Sequence, residues 1–385
     1  MSTSEAPIVI VGTGLAGYTL AREIRKYDKS TSILMITADD GNSYSKPILS
    51  TGFQKEKTPD ELVQFQADVM AERLDVELLT RSCVTGIDSE SKQVLLDDER
   101  VSYNRLILAC GASAIRLNLS GDGLKHVYSI NNLMDYRAFR HALVGVDRVA
   151  IMGAGLIGCE FANDLRSGGY NVNVIAPSES VMPGLLPPIV GDRVIQSLRD
   201  EGVCFHLGVV VERIDETSDG LSLYLNSGEI LEVDRVISAV GLRPNTVIAA
   251  EAGLDVAHGI CVNRRLETSL PDIYALGDCA EVDGHVLPYV QPLMSCARAL
   301  AKTLTGEPTD ISYGAMPVMV KTPCCPTAAY PPPADVHGSW HVERASEDIK
   351  ALFRGDDDKL LGFAITGEFM NEKQALTKEL PPIHN

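Results

Sequence analysis

Ile8-Val9-Ile10-Val11-Gly12-Thr13-Gly14-Leu15-Ala16-Gly17 and Val149-Ala150-Ile151-Met152-Gly153-Ala154-Gly155-Leu156-Ile157-Gly158 share one pattern, four apolar strand-type residues running into Gly-x-Gly-x-x-Gly. Helix-type stretches follow, Tyr18–Lys26 and Cys159–Arg166, and then a second apolar strand, Ile33–Thr37 and Val172–Ala176. The repeat predicts two separate βαβ units. In such a unit the first glycine allows a tight turn and the second lets backbone approach a pyrophosphate. The third lets helix and strand pack closely, and the helix N-terminus offers unpaired N–H groups to phosphate. One glycine motif alone is a weak signal, because glycine-rich turns are common. Two, each between an apolar strand and a helix, imply two dinucleotides, for which FAD with NAD(P)H is the usual pairing. Gly12, Thr13, Gly14, Leu15, Ala16 and Gly17 are the candidate contacts in the first unit, and Gly153, Gly155 and Gly158 in the second.

Working outward, each unit acquires a further strand, Arg105–Gly111 and Arg235–Gly241, preceded by hairpin-like stretches around Val94–Tyr103 and Ser222–Glu232. Asp272–Asp278 reads as a strand ending in Gly-Asp, and Pro292–Leu304 as a helix. Strand-type runs recur at Pro317–Lys321, Lys350–Phe353 and Leu360–Thr366, before a helix at Asn371–Glu379; Pro331-Pro332-Pro333 must be an extended loop. The expected fold is α/β: two Rossmann-like dinucleotide-binding domains, for FAD and NAD, and a small α+β C-terminal domain. The expected boundaries are 1–115 with 242–312 for FAD, 116–241 for NADH, and 313–385 for the C-terminal domain.

Composition narrows the partners. Of 385 residues, 45% are hydrophobic and 22% charged, enough apolar material for two or three cores. A formal charge of −18 repels phosphate, which disfavours nucleic acid and anionic membrane surfaces. Met1–Gly17 lacks the pattern of a secretory leader, and no stretch is apolar for long enough to span a membrane. Nine cysteines, scattered singly except for Cys324-Cys325, suit reduced thiols and point to the cytoplasm. No metal site is expected.

These motifs resemble the two-dinucleotide flavoprotein reductases, the family of glutathione, thioredoxin and ferredoxin reductases, over nearly the whole chain. Gly241-Leu242-Arg243-Pro244-Asn245 looks like that family's return from the NAD to the FAD domain. Ile273-Tyr274-Ala275-Leu276-Gly277-Asp278 looks like its FAD motif, which implies that Asp278 grips the ribityl and pyrophosphate region. The resemblance also implies that Lys46, in Ser45-Lys46-Pro47, lies beside the flavin ring with Glu160 as its partner carboxylate. A fixed positive charge there stabilises reduced flavin. The resemblance further implies Val84 at the adenine, Thr37 and Ala38 beside the adenosine ribose, and Val290 at the entrance of a helix facing the flavin.

Disulfide reductases of this family need a cysteine pair near the flavin, but Ser43–Gly52 contains no cysteine and the second unit has no C-x-x-C. Electrons are therefore expected to leave the flavin directly, for a one-electron carrier. Ser43–Pro47, Gly158–Leu165, Gly277–Gly284, Met316–Pro323 and Asn371-Glu372-Lys373 resemble bacterial rubredoxin reductases. That likeness implies NADH-to-rubredoxin electron transfer, as in an alkane-hydroxylase-type chain, and a flavin contact at Lys321. A flavorubredoxin, a ferredoxin or a small quinone remains an alternative acceptor, and a non-enzymatic FAD/NADH sensor an alternative role. In the second unit no acidic residue directly ends the strand Val172–Ala176. Glu179, three residues on, is the group placed to reach a ribose hydroxyl, and no arginine in that turn awaits a 2′-phosphate, so NADH is expected over NADPH.

Overall fold

Short runs such as Ile8–Val11 and Ile33–Ile36 are apolar at every position, so they must be covered on both faces. Parallel strands joined by helical crossovers supply that cover. The computed structural model describes residues 6–97 and 99–384, so the first five residues of the Met1–Gly17 stretch, Asp98 of the expected Val94–Tyr103 hairpin and Asn385 of the expected C-terminal domain lie outside the described residues. The chain divides into two units. One comprises residues up to 46, 61–113 and 242–313; the other comprises 47–60, 114–241 and 314 onward.

The first unit is built on a five-stranded parallel sheet in the order Ile273–Ala275, Arg105–Leu108, Ile8–Val11, Ile33–Ile36, Glu77–Leu79. Helix Leu15–Tyr27 crosses over from Ile8–Val11 and packs against helix Val290–Leu304. A three-stranded antiparallel sheet, Val84–Asp88, Gln93–Leu96 and Glu99–Ser102, confirms the expected hairpin.

The second unit repeats the design. Its parallel sheet runs Val203–Leu207, Asn171–Ala176, Arg148–Met152, Arg235–Ser238, Val127–Tyr128, with helix Leu156–Ser167 as the crossover. In both sheets the strand entering the glycine-rich turn is central. A three-stranded sheet, Val211–Thr217, Gly220–Leu225 and Ile230–Val233, shares a core with the parallel sheet through Met152, Ile175, Ile214, Leu223 and Val236. The same unit holds an antiparallel five-stranded sheet in the order Val318–Val320, Thr327–Tyr330, Leu360–Thr366, Asp348–Gly355, Gly338–Ala345. Phe363, Ile365, Phe369 and Leu376 seal the closing helix Lys373–Glu379 onto it.

The grouping by contacts runs differently from the expected boundaries in two places. Residues 47–60, assigned by sequence to the FAD-type domain, cluster with the second unit. The buried Asp164 carboxylate accepts from the Phe53 amide at 3.2 Å and the Gln54 amide at 2.9 Å, and Arg140 lies over the Phe53 ring. Residues 116–241 and 313–385, expected as separate domains, fall almost wholly in one unit. Helix Pro188–Asp200 packs on strand Asp348–Gly355, and Arg193 pairs with Glu347 at 3.1 Å.

Candidate functional site

In the first unit Gly12 has φ +114°, and a Cβ there would collide with the Ala109 carbonyl. Gly17 carries helix Leu15–Tyr27 so close to the turn that a Cβ would collide with the Gly12 carbonyl. Gly14 differs: it is extended, at φ −62° and ψ −174°, and a Cβ would meet no atom within 4 Å. It caps the helix without any side-chain hydrogen bond, so the first-turn amides depend on water or a ligand. The second unit reproduces each feature. Gly153 at φ +110° abuts the Ala239 carbonyl, Gly158 abuts the Gly153 carbonyl, and Gly155 at φ −75° and ψ −174° faces open space. Two turns are thus held by glycines that cannot gain a Cβ, with a bare helix N-terminus beside each. A pyrophosphate fits both.

Around the first turn, Gly277 has φ +80°, and a Cβ would stand 2.9 Å from the Ala16 Cβ. That close approach seats the Gly277–Cys279 turn on the first turn of helix Leu15–Tyr27 and presents Asp278 beside it. Lys46 Nζ lies 3.9 Å from Asp278 Oδ2. Thr37 is buried, Ala38 exposed, and Val84 buried at the head of a strand that bulges between Val84 and Gly86. Val290 is the first residue of its helix, which Tyr289 precedes without a side-chain cap; both are exposed.

Sequence reasoning passed over Asp39. Its Oδ1 accepts from the Thr13 hydroxyl at 3.3 Å, the Thr37 hydroxyl at 2.8 Å and the Gly41 amide at 2.9 Å. This fixes a carboxylate just past the second strand, where a dinucleotide fold binds ribose. The signal was present as an acidic residue at the end of that strand, masked by its neighbour Asp40. Tyr18 donates to the Gly41 carbonyl, and burial, then the carboxylates of Asp39 and Asp40, push its phenol up.

In the second unit Glu160 is buried on helix Leu156–Ser167. Its Oε2 accepts from Ser50 Oγ and from Lys321 Nζ, both at 2.7 Å, and its Oε1 accepts from the Lys321 amide at 3.1 Å. Lys321 Nζ also donates to Ser50 Oγ at 2.8 Å and to the Pro47 carbonyl. The cation at Glu160 in this network is thus Lys321, whereas the sequence expectation paired Glu160 with Lys46, a residue of the other unit. Ser50 was missed; a single serine in a 3-10 turn carries no pattern. Glu179 is exposed in the turn after strand Asn171–Ala176, where Gly208 donates to the Ser178 carbonyl at 3.1 Å.

Residues 6–302 match the pyridine nucleotide-disulphide oxidoreductase family. The chain belongs to that family. The oxidoreductase match leaves the C-terminal antiparallel sheet to a second one, the rubredoxin binding C-terminal domain, over residues 310–380. The chain is 51% identical to the rubredoxin-NAD(+) reductase of Alcanivorax borkumensis, covering 98% of this chain and 99% of that one. It is 43% identical to the rubredoxin-NAD(+) reductase of Acinetobacter baylyi, covering 98% of each. Among solved structures, the ferredoxin reductase for the CYP199A2 system from Rhodopseudomonas palustris superposes with a TM-score of 0.88 at 26% identity, covering 98% of this chain and 96% of that one. The family name refers to a disulphide, yet all nine cysteines here are free thiols. Burial pushes the Cys159 and Cys324 thiols up to about 12, which keeps them protonated and unreactive. Among the described residues no helix is long and apolar enough to cross a membrane, and no side-chain cluster could hold a metal ion.

Proposed function

We propose that the protein is an FAD-dependent reductase that carries electrons from NADH to rubredoxin, working in the cytoplasm within an alkane-hydroxylase-type chain. The observation that carries this reading is the duplicated glycine cradle on one chain with a rubredoxin-binding domain at residues 310–380. Bound FAD supplies the conversion between a two-electron hydride donor and one-electron acceptors.

The protein's part is to bind, orient and tune. Gly12 and Gly17 hold the first turn shut, so that the amides beyond Gly14 meet the FAD pyrophosphate, flanked by Thr13, Leu15 and Ala16. Asp278 receives the ribityl hydroxyls, and Lys46 beside it limits the repulsion between that carboxylate and phosphate. Asp39, tied through Oδ1, leaves Oδ2 for an adenosine ribose hydroxyl, with Thr37, Ala38 and Val84 bordering the nucleoside. The N-terminus of helix Val290–Leu304 carries a partial positive charge that favours an anionic reduced ring, by up to about 2 kcal/mol when partly buried.

Gly153, Gly155 and Gly158 bind the NADH pyrophosphate in the same way. Glu179 accepts from its ribose hydroxyls and repels a 2′-phosphate. Glu160 and Lys321, locked together by Ser50, supply a fixed charged pair for the redox reaction. No side chain acts as nucleophile.

Stopped-flow mixing of the NADH-reduced holoprotein with purified rubredoxin tests the proposal. Rubredoxin should be reduced within the turnover time, at two equivalents per NADH. Reduction of rubredoxin slower than steady NADH oxidation by small artificial acceptors would remove rubredoxin as the partner.

A further inference from the structure

Cys110 and Cys279 have no part in the reaction above, yet they meet at the first glycine-rich turn. Strands Arg105–Leu108 and Ile273–Ala275 run parallel with Leu108 opposite Ala275, and the Leu276 amide donates to the Leu108 carbonyl at 3.1 Å. Cys110 lies two residues beyond the first strand, and Cys279 four beyond the second. Cys279 Sγ sits 3.4 Å from both the Leu108 and the Leu276 carbonyl oxygens, over the end of the neighbouring strand. Cys110 stands two residues past that Leu108 carbonyl, so the two cysteine side chains share the end of the parallel strand pair. Cys110 Sγ in turn donates to the Asn245 carbonyl at 3.4 Å, and Asn245 Nδ2 returns a 2.7 Å bond to the Cys110 carbonyl.

The two thiols are unequal. Cys279 is completely buried, whereas Cys110 is partly open. The neighbouring Cys279 holds the Cys110 thiol below its usual range against the effect of burial, and Cys110 together with burial holds the Cys279 thiol well above. Both flank the parts that grip the first dinucleotide. Cys110 follows Ala109, whose carbonyl closes on Gly12, and Cys279 follows Asp278.

We propose that Cys110 and Cys279 form a peroxide-oxidised dithiol site, whose disulfide staples the end of strand Arg105–Leu108 to the Asp278 turn and locks FAD into the first unit. Cys110, as thiolate, attacks hydrogen peroxide: an S–O bond forms, the O–O bond breaks, and the departing hydroxide takes the thiol proton as water. The Cys279 sulfur then attacks the Cys110 sulfenic acid. An S–S bond forms, the S–O bond breaks, and the hydroxyl leaves with the Cys279 proton as a second water. Two thiols lose two electrons and one peroxide gains them. Cross-linking two strands so distant in sequence restricts local opening of the site between them.

The test uses FAD-loaded full-length protein treated with one equivalent of hydrogen peroxide, then denatured with N-ethylmaleimide and mapped by mass spectrometry. Peptides carrying Cys110 and Cys279 should appear linked, lighter by two hydrogens, and separate again with dithiothreitol. In Cys279→Ser, Cys110 should stall as a dimedone-trappable sulfenic acid. FAD release in moderate urea should be slowed several-fold by oxidation and restored by dithiothreitol. Maleimide on both residues after oxidation, or cross-links confined to the exposed Cys83 and Cys204, would overturn the site. A mapped disulfide with unchanged FAD release would overturn the lock. The mapping needs only the wild-type chain, so a variant that folds poorly does not blunt it.

Discussion

Gly14→Ala separates a glycine needed by the ligand from one needed by the fold. At φ −62° and ψ −174° the position suits any L-residue, and the added methyl meets no atom within 4 Å. The apoprotein should therefore keep its stability to within about 0.5 kcal/mol, as for an open surface substitution. The methyl instead stands where the pyrophosphate must approach the first-turn amides. Losing one charge-assisted hydrogen bond there costs about 1.5–3 kcal/mol, which is roughly ten- to hundredfold in the FAD dissociation constant. Gly17→Ala carries the same methyl into the Gly12 carbonyl and should cost the fold itself. The assay is thermal melting of each apoprotein, followed by FAD titration with quenching of flavin fluorescence. A Gly14→Ala apoprotein that melts several degrees low, or binds FAD as tightly as wild type, would refute the reasoning.

Asp278→Ala should strip or greatly weaken FAD; protein that stays fully yellow through gel filtration would remove Asp278 from the grip. Gly155→Ala should raise the KM for NADH by roughly tenfold or more while flavin content stays normal, and loss of flavin would show that the second turn does not bind the nicotinamide nucleotide. Glu179→Arg should narrow the NADH preference in kcat/KM; an unchanged NADH to NADPH ratio would leave Glu179 a solvated turn residue. For Asp234, burial alone would raise the carboxyl, but the Arg148 guanidinium at 2.7 Å and the amides of Arg148 and Asp147 outweigh it, so its pKa is lowered on folding. Its stabilisation is present above the unfolded pKa of about 3.9 and fades as pH falls through the lower folded value. Asp234→Asn should cost about 1 kcal/mol at pH 7, discounted for the open Arg148 side chain, with the gap closing below about pH 4; a gap constant with pH in thermal melts would contradict this.

The glycine turns were legible because their causes are local: a four-residue apolar strand, a φ near +110°, and a helix starting at once. The strand running into Gly277-Asp278 was legible for the same reason. Strand Gly338–Ala345 was not, because as an edge strand it is mostly exposed and its side chains need no apolar alternation. The grouping of residues 47–60 with the second unit was not legible, because the amide bonds to Asp164 span more than a hundred residues of sequence. The pairing of Lys321 with Glu160 has the same origin: it is tied in three dimensions through a serine that no motif marks. Cys110 and Cys279 stood in the sequence only among the singly scattered cysteines, and the parallel register brings the ends of their strands side by side.

The order of strands in the first sheet also sets a timetable for synthesis. Strand Arg105–Leu108 has Ile8–Val11 on one side and Ile273–Ala275 on the other. At about 5–20 residues per second, roughly 8 to 33 s pass between the emergence of the two strands that share this edge. Throughout that interval the outer edge of Arg105–Leu108, apolar from Leu106 to Leu108, is an unpaired template open to any other nascent chain. A slower ribosome lengthens the exposure, so the yield of folded protein should depend on the pace of translation between residues 108 and 273, and on chaperones that shield the edge until its last strand arrives.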